Sequence, residues 1–320
     1  LRHALAYSRL LFCGAVLVWL GNTLAAVLRG SGNTLLPALA LSAGAFVQVP
    51  LSGVLTLGWG PFPRLGIQGA AIAYLTGFAV AAGLMAAALS RGPLWPRAGD
   101  WQLQRSTLRE ILRVGAVSSL SSIQTVVSAV ILTGFVGSYG AAALAGYGVG
   151  LRMELLQIPI LFSIGQALLA SVGVHVGAGQ AERAKRIAWT GVALAVTWST
   201  VVGASAALFP AAWMGVFSTD PAVVQAGSQY LRIVAPFYPL FGVSMVLYFA
   251  SQGAGRVVLP VLSGTARLLV VIAGGSLVAM LSGPLAAVFA VISLGIATHG
   301  LLTAWAVYRT PWTAAEERRG

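Results

Sequence analysis

Tyr7-Ser8-Arg9 and Gly30-Ser31-Gly32-Asn33-Thr34-Leu35-Leu36-Pro37 return later in the chain. The second set is Tyr230-Leu231-Arg232 and Gly253-Ala254-Gly255-Arg256-Val257-Val258-Leu259-Pro260, and each matched Tyr, Arg, Gly, Leu and Pro is displaced by 223 positions. Two copies of one unit in an apolar chain are the mark of a duplicated transporter. Hydrophobic residues make up 58% of the 320, charged residues 8%, and mean hydropathy is +0.87. A soluble domain carries about 25% charge, so this chain has too little polar surface for water and reads as an all-α, multi-pass integral membrane protein.

A span needs about 20 apolar residues. Apolar runs between charges, turns and glycine-proline clusters predict nine spans: 7–28, 34–58, 66–90, 111–137, 141–172, 187–216, 231–251, 257–281 and 284–308. Glycine and proline end helices at the breaks by offering turn conformations or removing a donor. Alternate loops then carry the basic residues. They hold Arg29; Arg91, Arg97, Arg105, Arg109 and Arg113; Arg183, Lys185 and Arg186; Arg256; and Arg309, Arg318 and Arg319. The opposite loops carry little beyond Arg64, which places the first set and the C-terminus in the cytoplasm. The net charge of +12 therefore reports topology rather than nucleic-acid binding.

Six predicted spans separate the starts of the two copies, so both cross in the same direction. The repeat is expected to be parallel, related by a pseudo-two-fold along the membrane normal. The expected organisation is 1–92 as the last three helices of a first six-helix bundle, 93–110 as a cytoplasmic linker, 111–309 as a complete second bundle and 310–320 as a cytoplasmic tail. Against that second bundle, the first is expected to be N-terminally truncated by three helices, on the order of a hundred residues.

The motifs narrow the family. Leu28-Arg29-Gly30-Ser31-Gly32-Asn33-Thr34-x-x-Pro37 resembles the stretch after the fourth helix of multidrug and toxic compound extrusion (MATE) transporters. Leu65-Gly66-Ile67-Gln68-Gly69-Ala70-Ala71-Ile72-Ala73 resembles the opening of their sixth helix. Ala143-Leu144-Ala145-Gly146-Tyr147-Gly148-Val149-Gly150-x-Arg152 and Val172-Gly173-x-x-x-Gly177-Ala178-Gly179-x-x-x-Arg183-Ala184 resemble the eighth helix and its loop, and Ala250-Ser251-Gln252-Gly253-Ala254-Gly255-Arg256 the close of the tenth. The resemblance covers nearly the whole chain, makes its spans family helices 4–12, and is closer to the DinF-like branch than to the NorM-like one. It implies a secondary exporter of organic compounds, cationic or amphipathic, working by H⁺ or Na⁺ antiport as a monomer in the inner membrane. Departures are specific. Val174-His175 stands where a Gln-Asn pair is common, and Gln48 and Ser52 stand where the fifth helix often carries Asn and Asp. The carboxylates that NorM-like members place in helices seven and ten have no counterpart in 111–137 or 231–251.

Three charges fall clearly inside spans: Arg152, Glu154 and Arg267. A mid-membrane charge costs about 2.5–3.5 kcal/mol on insertion scales, so each is expected to face a cavity or a partner. Glu154, the sole carboxylate within a span, could take up a proton or a cationic compound, or could simply pair with an arginine. That arginine would be Arg152 or Arg267; Arg152, two positions away, diverges from Glu154 on one helix and pairs poorly with it directly. Gln48, Ser52, Gln124, Gln157, Gln166 and Gln252 are the neutral polar groups; Gln48 and Gln124 could touch substrate or tie helices together. Tyr147, Phe237, Tyr238, Met245, Tyr248 and Phe249 offer aromatic and thioether surface for flat lipophilic compounds, or ordinary packing. Tyr7, Arg9, Tyr230 and Arg232 read as interface anchors at span starts, and Pro50, Pro236 and Pro239 as bending points.

Other classes fit poorly. The glycines lack the Lys-Ser/Thr and preceding strand of a nucleotide loop, so no ATP is expected. Cys13 is the only cysteine, and His3, His175 and His299 are scattered, so neither a disulfide nor a metal site is expected. A membrane enzyme would need clustered side chains, whereas Asp100, Glu110, Glu182, Asp220, Glu316 and Glu317 lie apart in loops; no catalytic residue or cofactor is expected. A lipid-linked saccharide flippase of the same superfamily is the alternative within transporters, and a non-functional remnant a further one.

Overall fold

The computed structural model describes residues 2–92 and 105–312. The segments 93–104 and 313–320, which hold most of the expected linker and tail, lie outside them. The described residues are helical almost throughout and fall into two compact units, divided near residue 103.

The first unit holds α1 (Arg2–Cys13), α2 (Ala15–Gly30), α3 (Leu35–Leu57) and α4 (Ile67–Ser90). The first two meet at a 47° bend at Gly14 and are long and apolar enough to span only when taken together. Small residues let α3 and α4 cross closely: a Cβ on Gly77 would lie 2.8 Å from the Gly44 carbonyl oxygen. Such small-residue contacts replace the hydrophobic drive that is weak between helices in lipid. Ala25, Leu28, Ala40, Ala81, Met85 and Leu89 form the core. Pro50 lies inside an uninterrupted α3.

The second unit holds α5 (Arg105–Gly137), α6 (Ala141–Gly177), α7 (Ala181–Leu208) and the short α8 (Pro210–Gly215). It continues with α9 (Pro221–Val234), a 3-10 turn at Ala235–Phe237, α10 (Tyr238–Gly253), α11 (Val258–Met280) and α12 (Leu285–Arg309). Among the described residues, eight helices are long and apolar enough to span, or nine if the bent pair counts as one.

Two span boundaries differ from the sequence reading. Residues 187–216 break at Phe209, and Pro210, which has no N–H to donate, opens a separate turn of helix. The span expected at 231 starts instead at Pro221, because Asp220 accepts a bond from the Ala222 N–H and caps the helix at its side chain (2.9 Å) while proline sits at its first position. The stretch 221–230 is helical. It is the outer part of a 33-residue span, Pro221–Gly253.

The repeat is structural. Ser31, Gly32 and Asn33 donate their N–H groups to the carbonyls of Val27, Arg29 and Leu28; Ala254, Gly255 and Arg256 donate theirs to Ala250, Gln252 and Ser251. Both caps turn on a glycine in the left-handed region, φ 89° at Gly32 and 68° at Gly255. In each copy the regular α-helix ahead of the cap is interrupted, by the bend at Gly14 and by the 3-10 turn at Ala235–Phe237.

Candidate functional site

The second unit concentrates its polar side chains at mid-depth. Glu154 lies 13 positions from the start of α6, Arg267 13 from the end of α11, His299 14 from the start of α12 and Gln124 13 from the end of α5. At 1.5 Å per residue, all four lie about 20 Å from the same end of the bundle. Glu154 is half-buried and accepts a hydrogen bond on Oε2 from the Tyr230 hydroxyl at 3.3 Å. Arg267 is the cation whose field it feels. The same arginine acts on Tyr147 and His299.

Tyr230 owes its position to a glycine. α6 and α9 run side by side, and a Cβ on Gly150 would lie 2.5 Å from Tyr230 Cδ1. With hydrogen there, the ring packs edge-on between Tyr147 and Phe289, each centroid 5.3 Å away. Nearer the α9 start, a Cβ on Gly146 would lie 2.7 Å from the Gly227 nitrogen. Tyr230 and Tyr238 are both fully buried.

Several buried polar atoms around this centre have no hydrogen-bond partner. Gln157, fully buried one turn beyond Glu154, has both amide atoms unpaired, and Ser199 Oγ and Gln124 Oε1 also lack a hydrogen-bond partner. The offset between facing residues of α6 and α9–α10 stays near 80, from Gly150 against Tyr230 to Gly173 against Gly253, which sets Gln157 level with Tyr238. Buried polar atoms of this kind cost about 1–3 kcal/mol each when left unpaired, a cost that bound water would offset.

Of the sequence candidates, Tyr147, Glu154, Tyr238 and Arg267 come together. Gln124 stands beside them, with Nε2 donating to Thr265 Oγ1 at 2.7 Å and Oε1 facing the Gly264 backbone near His299. Arg152 does not join: it is exposed and stacks over Phe217, 5.2 Å from its centroid. Met245 packs in an apolar core. Tyr248 donates to the Ser118 carbonyl at 3.4 Å, and Gln252 to Ser118 Oγ at 3.2 Å. Gln48 and Ser52 belong to the first unit, where Gln48 packs on Gly77 of α4. Two members escaped the sequence reading. Tyr230 is no interface anchor but the partner of Glu154, and His299 had no ligand spacing to signal it. The signal for Tyr230 was its helix: the Asp220-Pro221 cap moves the span start ten residues back.

Known proteins agree with this architecture. The MatE family model matches residues 118–277, half of the chain. The chain is 28% identical over 238 residues to a Shewanella oneidensis protein named FAD transporter, covering 74% of this chain and 52% of that one. It is 25% identical to the Thermotoga maritima "Probable multidrug resistance protein NorM", covering 80% and 55%. It thus spans about half the length of these curated relatives. Among solved structures, a MATE transporter in the bent conformation superposes with a TM-score of 0.86 at 22% identity, over 98% of this chain and 70% of that one. A likeness at that identity establishes the fold, and the family model establishes kinship: this chain is a multi-pass membrane protein of the MATE family, a family of transporters and not of enzymes.

Proposed function

We propose that the chain works in secondary active export of organic compounds, exchanging them for H⁺ or Na⁺, and that Glu154 is an ion-binding group of the second bundle. The observation that carries this is a carboxylate at mid-membrane, bonded to Tyr230 and within electrostatic range of Arg267, beside buried polar atoms without a hydrogen-bond partner. A charge there costs several kcal/mol unless it does work. Protonation or sodium binding at Glu154 changes the charge of the bundle interior, and a two-state protein responds by shifting between inward- and outward-open forms. The relatives' names, multidrug resistance and FAD transport, support organic solutes as a class.

In the same reading the protein sits in the inner membrane as a monomer. The loops at Arg29, Arg183 and Arg256, the 93–110 linker and the C-terminus face the cytoplasm, as the basic-residue bias requires. The wording of the second-unit motifs supports the DinF-like branch. Reconstitution in liposomes tests the whole: an imposed pH or sodium gradient should drive movement of a xanthene dye without ATP, and dye movement indifferent to both gradients would sink the reading.

A further inference from the structure

α9 carries a polar face that its own unit leaves uncovered. Val223, Ala226, Tyr230, Leu231 and Val234 point inward, while Gln225, Gln229 and Arg232 are exposed along the opposite side. These three border an open depression of about 650 Å³, completed by Ala222, Ala226, Ser228, Ile233 and Leu285. Two positions along a helix turn the side chain by about 200°, so burying Tyr230 against Glu154 obliges Arg232 to face out.

This face is ill-suited to lipid. Arg232 lies 11 positions beyond Pro221, about 16 Å along the helix. With a 33-residue span centred on about 30 Å of hydrocarbon, that is below the interface. By the same measure Gln225 lies at the interface and Gln229 at the edge of the hydrocarbon, so Arg232 is the group that would lose its water there, and an aqueous border to this face spares that cost. No carboxylate lines the depression. The nearest acid on the same element, Asp220, caps the helix start and lies about 18 Å from Arg232 by helical rise. The repeat copy has the same arrangement, with Arg9 exposed on α1 two positions after Tyr7.

We propose that Gln225, Gln229 and Arg232 receive the anionic group, carboxylate or phosphate, of a soluble organic substrate. This rests on the exporter reading above and adds a charge preference to it. Arginine offers a planar fork of donors matched to such oxygens, and the glutamine amides add further donors without adding charge. Arg232 then selects by charge, and the edge of the depression at Ile233 and Leu285 accepts the apolar body.

Two dyes sharing one xanthene skeleton, anionic carboxyfluorescein and cationic rhodamine 6G, test this by equilibrium binding to the chain in zwitterionic-lipid nanodiscs. The expected result is saturable carboxyfluorescein binding that Arg232→Gln weakens by about tenfold. Arg232→Lys should keep part of it, and rhodamine 6G affinity should be unchanged or higher. If Arg232→Gln does not yield folded protein, Gln229→Glu, which brings a negative charge to the same depression, should abolish carboxyfluorescein binding. Three results overturn the proposal: no carboxyfluorescein binding, equal loss for both dyes, or binding blocked by phosphatidylglycerol, which would make the site one for lipid headgroups. Binding needs no gradient, so it can fail while gradient-driven flux stands, and the reverse.

Discussion

Tyr230 on α9 donates its hydroxyl to Glu154 on α6, joining the repeated Tyr-x-Arg element to the one carboxylate that lies within a predicted span. The bond crosses 76 positions of sequence, and it exists because Gly150 has no Cβ to exclude the tyrosine ring. A double-mutant cycle of Tyr230→Phe and Glu154→Gln, followed by thermal unfolding in detergent, should show a coupling of about 0.6 to 1.7 kcal/mol, the range of interhelical bonds in membrane proteins. Strict additivity would mean the contact contributes nothing.

Gly150→Ala should cost about 1–3 kcal/mol by overpacking, because its methyl group would enter the Tyr230 ring. Gly148→Ala, two residues away with nothing within 4 Å of its added carbon, should be neutral or slightly stabilising. Melting temperatures of the two variants decide it: equal shifts would show that the ring moves aside freely.

The repeated caps give a paired expectation. Gly32 and Gly255 hold positive φ in matching hydrogen-bond patterns, so alanine at either should cost about 1–2 kcal/mol. Gly30→Ala, with no positive φ and no atom near its added carbon, should cost nothing. Stability of the three variants in detergent is the check, and a Gly255→Ala protein as stable as the parent would contradict the cap argument.

Much of this was legible in the sequence, for physical reasons. The apolar runs and glycine caps are local, and each cap spans only seven consecutive residues, 27–33 and 250–256, so the repeat and the family motifs could be read directly. Glu154 and Arg267 stood out because charge within a span is costly wherever it lies. Their neighbours did not stand out. Which face of α9 meets α6 depends on Gly146, Gly150 and Gly227 fitting together across 80 residues, and no local pattern reports that. The start of that helix is set by the Asp220-Pro221 cap, a pair that reads equally well as a turn between spans. That misplaced the start of the span, and with it the burial of Tyr230.

Sidedness is testable through the single native cysteine. With Cys13 replaced by serine, a cysteine introduced at Thr219 should react with an impermeant maleimide in intact cells, and one at Ala178 only after permeabilisation. The opposite pattern would invert the topology drawn from the arginine loops.

Substrate-coupled ion flux in liposomes, measured for the parent chain and for Glu154→Gln, tests the central claim most directly. The account predicts that the parent couples dye movement to H⁺ or Na⁺ movement, and that Glu154→Gln still binds dye but no longer couples it to the ion. Undiminished coupling in Glu154→Gln would contradict it and leave Glu154 as a structural partner of Tyr230 and Arg267.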